Sequence, residues 1–190
     1  MNALVLRLAL GLALGASATG TLAASHHGKP FSYTADDSIG ISGVYQPTHD
    51  GLSVGGYQFK IGHYVLDGIR VDWAPSFRSY EGEKQHSRKL APIMFMFSDR
   101  SIVHPDHDEA NHELYVLPRT YHVDNNSIAF DGRHPKLGRV TFLGKLDRGP
   151  IKAAEAQDDP VTDGSVLKGD LTVGGKLYHD VEFFWFNGDP

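Results

Sequence analysis

Short runs of β-branched and aromatic residues recur along the chain, and Gly, Asp and Asn separate them at short intervals. Such runs are typical of strands, and the residues between them favour tight turns. The pattern predicts an all-β fold of about ten short strands, an antiparallel β-barrel or sandwich with little helix. The predicted single strands span residues 31–33, 39–45, 92–97, 113–117, 121–123, 127–130 and 139–143.

The clearest predicted element is a hairpin in the C-terminal segment 166–186. Gly174-Gly175 supplies the positive φ angles of a two-residue turn, and this turn pairs Val173 with Lys176. The returning strand carries large apolar residues at the neighbouring positions 183–186. We therefore expect this strand to lie inside the sheet and to be covered on both faces.

A second hairpin is predicted within residues 56–73, where Asp67-Gly68 supplies the turn. This turn pairs Leu66 with Ile69, and it pairs His63 with Asp72. Four apolar side chains then share one face, which we expect to be buried: Tyr64, Leu66, Ile69 and Val71.

Polar segments interrupt the strands in three places. Residues 77–90 are mixed in charge and are expected to form a long loop, and residues 99–112 a second one. Residues 151–157 follow Pro150 and are expected to form one or two helical turns.

The N-terminal segment has the layout of a secretory signal peptide. One positive charge at Arg7 precedes the apolar run 8–14, and small residues follow. Cleavage is expected after Ala23 or Ala24, so residues 1–24 are removed and residues 25–190 form a single β domain. The sequence thus predicts a periplasmic or secreted protein, without a transmembrane segment once the signal is cleaved.

Charge, cysteine content and motifs narrow the range of functions. The net charge is -5 at pH 7, which disfavours nucleic acid as a partner. There is no cysteine, so neither disulfides nor thiol chemistry support the fold. The chain has no GxSxG elbow and no phosphate-binding GxxxxGK[ST] loop. These features favour a binding protein over an enzyme.

A histidine-rich loop is the most concrete candidate site for chemistry. Imidazole and carboxylate side chains together suit Zn²⁺ or Cu²⁺. The spacing matches no specific zinc motif, and a solvated acidic loop is the simpler interpretation. The candidate ligands are His104, His107, His112, Asp108 and Glu109.

The expected mature N-terminus is a second candidate metal site. Cleavage after either alanine leaves a histidine at the third position, with His26 and His27 next to each other. A free amine, two backbone amides and this imidazole form the square-planar nitrogen set that Cu²⁺ and Ni²⁺ favour. A disordered leader is the simpler interpretation.

The two predicted hairpins each place a histidine opposite an aspartate. These pairs are His63 with Asp72 and His179 with Asp170. A carboxylate beside an imidazole fixes its tautomer and raises its basicity, as a general base requires. A small hydrolase or isomerase that uses one of these pairs is therefore a third hypothesis, although polar pairs are common on exposed sheet faces.

The turn segment of the C-terminal hairpin, residues 169–175, reads Gly-Asp-Leu-Thr-Val-Gly-Gly. It resembles the recurring G-x-L-T-[IV]-x-G segment of the YceI-like family of periplasmic proteins, and residues 140–143 resemble the preceding strand. Residues 177–181 depart from the family pattern by one position. The resemblance implies a lipocalin-shaped antiparallel barrel that holds an isoprenoid lipid, and no binding residue is carried over from it.

Two functional hypotheses lead from these observations. The first is a binding protein for an apolar small molecule or lipid, held in or beside the sheet. Its predicted lining is aromatic and comprises Tyr57, Phe59, Phe95, Phe97 and Trp185. The second is a Cu²⁺- or Zn²⁺-binding protein that uses the histidine loop, with His26 and His27 assisting.

Overall fold

The computed structural model describes residues 29–36, 40–48, 59–87, 89–101, 113–160, 162 and 164–188. Strands dominate these residues and form a curled, mainly antiparallel sheet with the shape of a half-barrel, which confirms the predicted fold class. The strands are β1 (Phe31–Tyr33), β2 (Gly43–Thr48), β3 (Phe59–Ile61), β4 (Tyr64–Val71), β5 (Ile93–Asp99), β6 (Glu113–Val116), β7 (Pro118–Val123), β8 (Ser127–His134), β9 (Gly138–Leu146), β10 (Leu167–Val173) and β11 (Lys176–Phe186). The helices are α1 (Ala74–Gly82) and α2 (Arg148–Gln157).

The strands form one sheet in the order β1-β7-β8-β9-β10-β11-β2-β4-β5-β6, and β3 pairs with β4 beside this path. The pair of β1 with β7 is parallel, and the other pairs are antiparallel. β6 and β7 lie towards opposite ends of this order, yet Leu117 alone separates them in the chain. The two ends of the sheet must therefore approach each other, which curls it.

Aromatic rings from opposite parts of the curled sheet meet in its interior. Phe95 of β5 lies 4.8 Å from Phe130 and 5.7 Å from Phe142, measured between ring centroids. Phe142 in turn makes an edge contact with Phe183 of β11 at 5.6 Å. Because β5 and β9 are not neighbours in the sheet, these contacts cross the interior and fill it.

The C-terminal hairpin is confirmed, and β11 lies between β10 and β2 inside the sheet. Val173 pairs with Lys176, as the turn predicts. On one face of β11, Phe183 and Trp185 are fully buried, whereas Phe184 on the other face is half-buried. The expectation that both faces are covered is therefore correct for one face only.

The predicted hairpin at Asp67-Gly68 is wrong, because β4 runs straight through these residues. The chain turns instead at Gly62-His63, between β3 and β4. At Asp67-Gly68 the pairing of β4 with β5 shifts its register, so these residues form a β-bulge. The bulge adds one residue and so returns Leu66 and Ile69 to the same buried face, which confirms their predicted burial.

The predicted loop at residues 77–90 is also wrong in its first part, where α1 continues to Gly82. Pro75 stands in the first turn of this helix, where its missing N–H is not needed. Ala74, Phe77 and Tyr80 are spaced three apart and form the buried face. Phe77 stacks on Tyr33 of β1, with ring centroids 4.4 Å apart.

The helical turns predicted at residues 151–157 are confirmed as the larger part of α2. The Asp147 side chain caps this helix by accepting a hydrogen bond from the Gly149 N–H at 2.9 Å. Ile151 and Ala154 are its buried residues. Among the described residues, no helix is long and apolar enough to cross a membrane.

Candidate functional site

A groove opens at the rim of the sheet, where the start of β2 meets the ends of β4 and β11. The strand registers bring these ends together, since Gly43 pairs with Val71 and Val44 pairs with Phe186. The groove has a volume of about 290 Å³, near the lower limit for small-molecule sites. Its lining residues are Ser42, Gly43, Val44, Arg70, Val71, Asp72, Trp73, Asn187 and Gly188.

Gly43 allows the strands to approach closely at the floor of the groove. Its φ angle is 143°, in a region that side-chain-bearing residues rarely adopt. A Cβ atom at this position would lie 2.6 Å from both the Phe186 carbonyl oxygen and the Trp185 Nε1. The Trp185 indole donates a hydrogen bond to the Ser42 carbonyl oxygen at 2.9 Å, so the buried core holds the floor in place.

Arg70 contributes a positive charge to the wall of the groove. The described residues contain two half-buried arginines, Arg70 and Arg148. Arg148 bonds to Asn125 at 2.7 Å and to Asp36 at 3.1 Å. Within the same described part of the chain, the Arg70 guanidinium makes neither a hydrogen bond nor an ion pair, so it has donors to offer a ligand. Its charge also acts on Tyr115 of β6: the hydrogen bond to Glu113 raises the pKa of Tyr115, and Arg70 opposes that effect.

Asp72 and Trp73 follow Arg70 at the end of β4 and complete this wall. The Asp72 Oδ1 accepts the Trp73 backbone N–H at 2.9 Å, which fixes the carboxylate at the rim. The Trp73 side chain is 62% exposed, although large aromatic side chains usually bury most of their surface. The described lining residues include one carboxylate and one guanidinium, and no imidazole or thiol.

The residues predicted to line a site for an apolar ligand do not line the rim groove where the structure describes them. Phe95, Phe97 and Trp185 are fully buried side chains of the core, and none of them lines the rim groove. Phe59 is half-buried and packs edge-on against Tyr178, with ring centroids 5.3 Å apart. Tyr57 lies outside the described residues. An apolar ligand inside the sheet stays a prediction.

The predicted metal ligands all lie outside the described residues: His26, His27, His104, His107, Asp108, Glu109 and His112. The same is true of the predicted signal peptide, residues 1–24. Within residues 29–36, 40–48, 59–87, 89–101, 113–160, 162 and 164–188, no group of three His, Asp or Glu side chains could hold a metal ion. Metal binding by the histidine loop stays a prediction.

The two predicted His/Asp pairs have different outcomes. The His179 Nδ1 lies 3.2 Å from the Asp170 Oδ1, so this pair forms as expected. Both side chains are more than half exposed on the outer sheet face, where neither is desolvated for catalysis. The pairing of His63 with Asp72 is wrong, because His63 lies in the turn before β4 and its Nε2 is 3.7 Å from the Asp99 Oδ1 instead.

Asp99 is the centre of a polar cluster that sequence reasoning did not identify. Its side chain is 3% exposed and accepts hydrogen bonds from the Ser101 hydroxyl at 2.6 Å and from the Lys136 ammonium at 3.1 Å. The Ser101 hydroxyl, together with the Ser101 backbone N–H and Lys136, holds the pKa of Asp99 well below its usual range against the opposing effect of burial. Because every described partner stabilises the charged form, the cluster is a structural anchor between β5 and the β8–β9 turn.

Comparison with protein-family models, curated proteins and solved structures returned no match to this chain. The resemblance to the YceI-like family therefore stays a prediction.

Proposed function

We propose that this protein is an exported binding protein that holds a small polar molecule in the rim groove. The half-buried Arg70 carries this proposal, because it lines the groove and makes no hydrogen bond or ion pair with a described residue. A concave site with a few convergent polar groups is the usual form of a small-molecule site. Export is supported by the signal-like N-terminal segment.

The packed interior supports a ligand at the rim over one inside the sheet. Phe142 contacts both Phe95 and Phe183 there, so a lipid would have to displace well-packed rings. The groove needs no such displacement. Its polar walls favour a polar ligand over the apolar one that the aromatic sequence pattern suggests.

Two-dimensional NMR of the indole N–H groups tests this proposal directly. The chain has two tryptophans, Trp73 at the groove edge and Trp185 in the core. We expect at least one class among monosaccharides, sugar acids, monocarboxylates, inorganic phosphate and fatty acids to shift the Trp73 signal in a saturable manner. The Arg70→Gln variant should weaken that binding, and Arg133→Gln, an exposed arginine of β8, should not.

Two results would contradict a ligand in the groove. One is that no class shifts the Trp73 signal. The other is that fatty acids shift Trp185 and the core phenylalanines while Trp73 stays unchanged, which would favour the apolar ligand inside the sheet.

Metal binding is a second proposal, and one observation favours it. Strand β5 ends at Asp99, shortly before the predicted histidine loop in the sequence, and the Arg100 N–H donates to the carbonyl oxygen of His63 at 2.9 Å. The half-exposed His63 imidazole thus lies near the end of the strand that precedes the predicted loop in the sequence. Native mass spectrometry with added Zn²⁺ or Cu²⁺ tests this idea, and a triple His104→Ala, His107→Ala, His112→Ala variant with unchanged affinity would refute it.

A further inference from the structure

Arg70 selects the charge and shape of the ligand group that it would bind. A guanidinium presents its donors as a planar fork, which matches the two oxygens of a carboxylate or a phosphate. Since the groove is concave and partly shielded from water, such a pair is stronger there than on an open surface. The ligand therefore carries an oxyanion.

Asp72 favours an oxyanion with one negative charge over an oxyanion with two. Its carboxylate also lines the groove, two residues after Arg70. A phosphate carries close to two negative charges at neutral pH and would be repelled by it. The second Asp72 oxygen makes no hydrogen bond to a described residue, so it is free to accept from a ligand hydroxyl. The ligand thus combines one carboxylate with neighbouring hydroxyl groups.

Trp73 adds a flat apolar surface at the edge of the same groove. Its indole is 62% exposed and offers one face to a ring that lies against it. Asn187, on the opposite wall, adds an amide that both donates and accepts hydrogen bonds. A ring with an apolar face and hydroxyls at its edge satisfies all of these groups together.

We propose that the groove binds a saccharide through a uronic acid ring, with its carboxylate on Arg70, its hydroxyls on Asp72 and Asn187, and its ring face on Trp73. This inference rests on the proposed function, because it assigns a ligand class to the same groove. The volume of about 290 Å³ fits one such ring, and the open side of the groove leaves room for further sugar units.

Calorimetric titration of the full mature chain with glucuronate, glucose, acetate and inorganic phosphate tests the assignment and measures the affinity of every variant. In chains that keep both tryptophans, the two indole N–H signals also report where the ligand binds. Glucuronate should bind at least about tenfold more tightly than glucose, which lacks the carboxylate, and than acetate, which lacks the ring. Arg70→Gln and Trp73→Ala should each weaken glucuronate binding about tenfold or more. Arg70→Lys should retain part of the affinity, because it keeps the charge and loses the fork.

Matched variants show whether a loss of binding is local. Arg133→Gln removes an exposed arginine from β8, outside the groove lining, and should leave the affinity unchanged. Trp73→Phe keeps an aromatic face and should restore most of the binding that Trp73→Ala loses. The thermal midpoint of each variant confirms that it is folded.

The possible outcomes separate this inference from the proposed function. If glucose binds as tightly as glucuronate, or if acetate or phosphate binds more tightly, the uronic acid assignment is overturned while a small-molecule groove remains. If glucuronate binds but Arg70→Gln and Trp73→Ala have no effect, the site lies elsewhere and both proposals fail. If no probe shifts either indole signal, the uronic acid assignment also fails.

Discussion

Asp99 makes the stability of this protein depend on pH. The pKa of its carboxyl is depressed in the folded state, chiefly by the hydrogen bond from the Ser101 hydroxyl. Its charged form therefore stabilises the fold at any pH above the unfolded value of about 3.9. This contribution is lost as the pH falls through the lower, folded pKa.

We expect the free energy of unfolding of the wild type to decrease as the pH is lowered from about 5. The Asp99→Asn variant should be less stable at neutral pH, because Lys136 loses its carboxylate, and its stability should decrease less on acidification. Urea unfolding at a series of pH values measures both effects. Asp170→Asn removes an exposed carboxylate and is the control, and an equal slope in Asp99→Asn and wild type would contradict the assignment.

Gly43 is the residue on which the groove floor depends. The Gly43→Ala variant should lose about 2 kcal/mol or more of stability, because its Cβ meets a backbone oxygen at 2.6 Å and its φ angle is unfavourable. Gly82→Ala, at the end of α1, meets nothing within 4 Å and should change stability by less than about 1 kcal/mol. Chemical denaturation compares the two, and equal losses would show that Gly43 is not constrained.

Neither the groove nor the Asp99 cluster could be predicted from residue spacing. Arg70 and Asn187 are far apart in the chain, and they meet only because β2 lies between β4 and β11. Lys136 reaches Asp99 from the β8–β9 turn in the same way. Sequence patterns report neighbours within one element or across one tight turn, whereas each of these sites also needs a residue from a distant part of the chain.

At the scale of elements, the two faces of β11 should differ in their contribution to stability. Phe183→Ala should cost about 3 to 5 kcal/mol, because it opens a cavity among the core phenylalanines. Phe184→Ala, on the half-buried face, should cost about 1 to 2 kcal/mol. Urea midpoints with unchanged m-values measure this difference. Similar losses would mean that the second face is covered as fully as the first.

The two predicted hairpins show what turn chemistry can and cannot determine. Gly174 and Gly175 both adopt positive φ, so their turn type was readable from the residues alone. Asp67-Gly68 is an equally good turn pair, yet it forms a β-bulge within β4. Gly68 fits there because a Cβ atom at this position would lie too close to the Tyr45 carbonyl oxygen. Both arrangements bury Leu66 and Ile69, so the apolar pattern could not distinguish them.

Helix α1 was missed because its apolar face is short. Ala74, Phe77 and Tyr80 have helical spacing, but the charged residues that follow them resemble a loop. Its stability comes from tertiary contacts, such as the stacking of Phe77 on Tyr33. Contacts of this kind are not visible in a local sequence window.

For the whole molecule, the fold class followed from the sequence, and the domain boundary is open to a direct test. The first described strand, β1, begins at Phe31, after the predicted signal segment. A chain that starts at Ser25 should therefore unfold at the same urea concentration as the full chain, within experimental error. A lower midpoint for the shorter chain would show that residues 1–24 stabilise the domain.

The position of β11 also sets the time at which the sheet can be completed. β11 bridges β10 and β2, and Trp185 bonds to Ser42, 143 positions earlier in the chain. Until this last strand is present, no strand pairing joins β1-β7-β8-β9-β10 to β2-β4-β5-β6. Long-range pairing of this kind is slow. A chain that emerges from the ribosome with its N-terminus first would thus form local hairpins early and complete the sheet only after its final residues emerge.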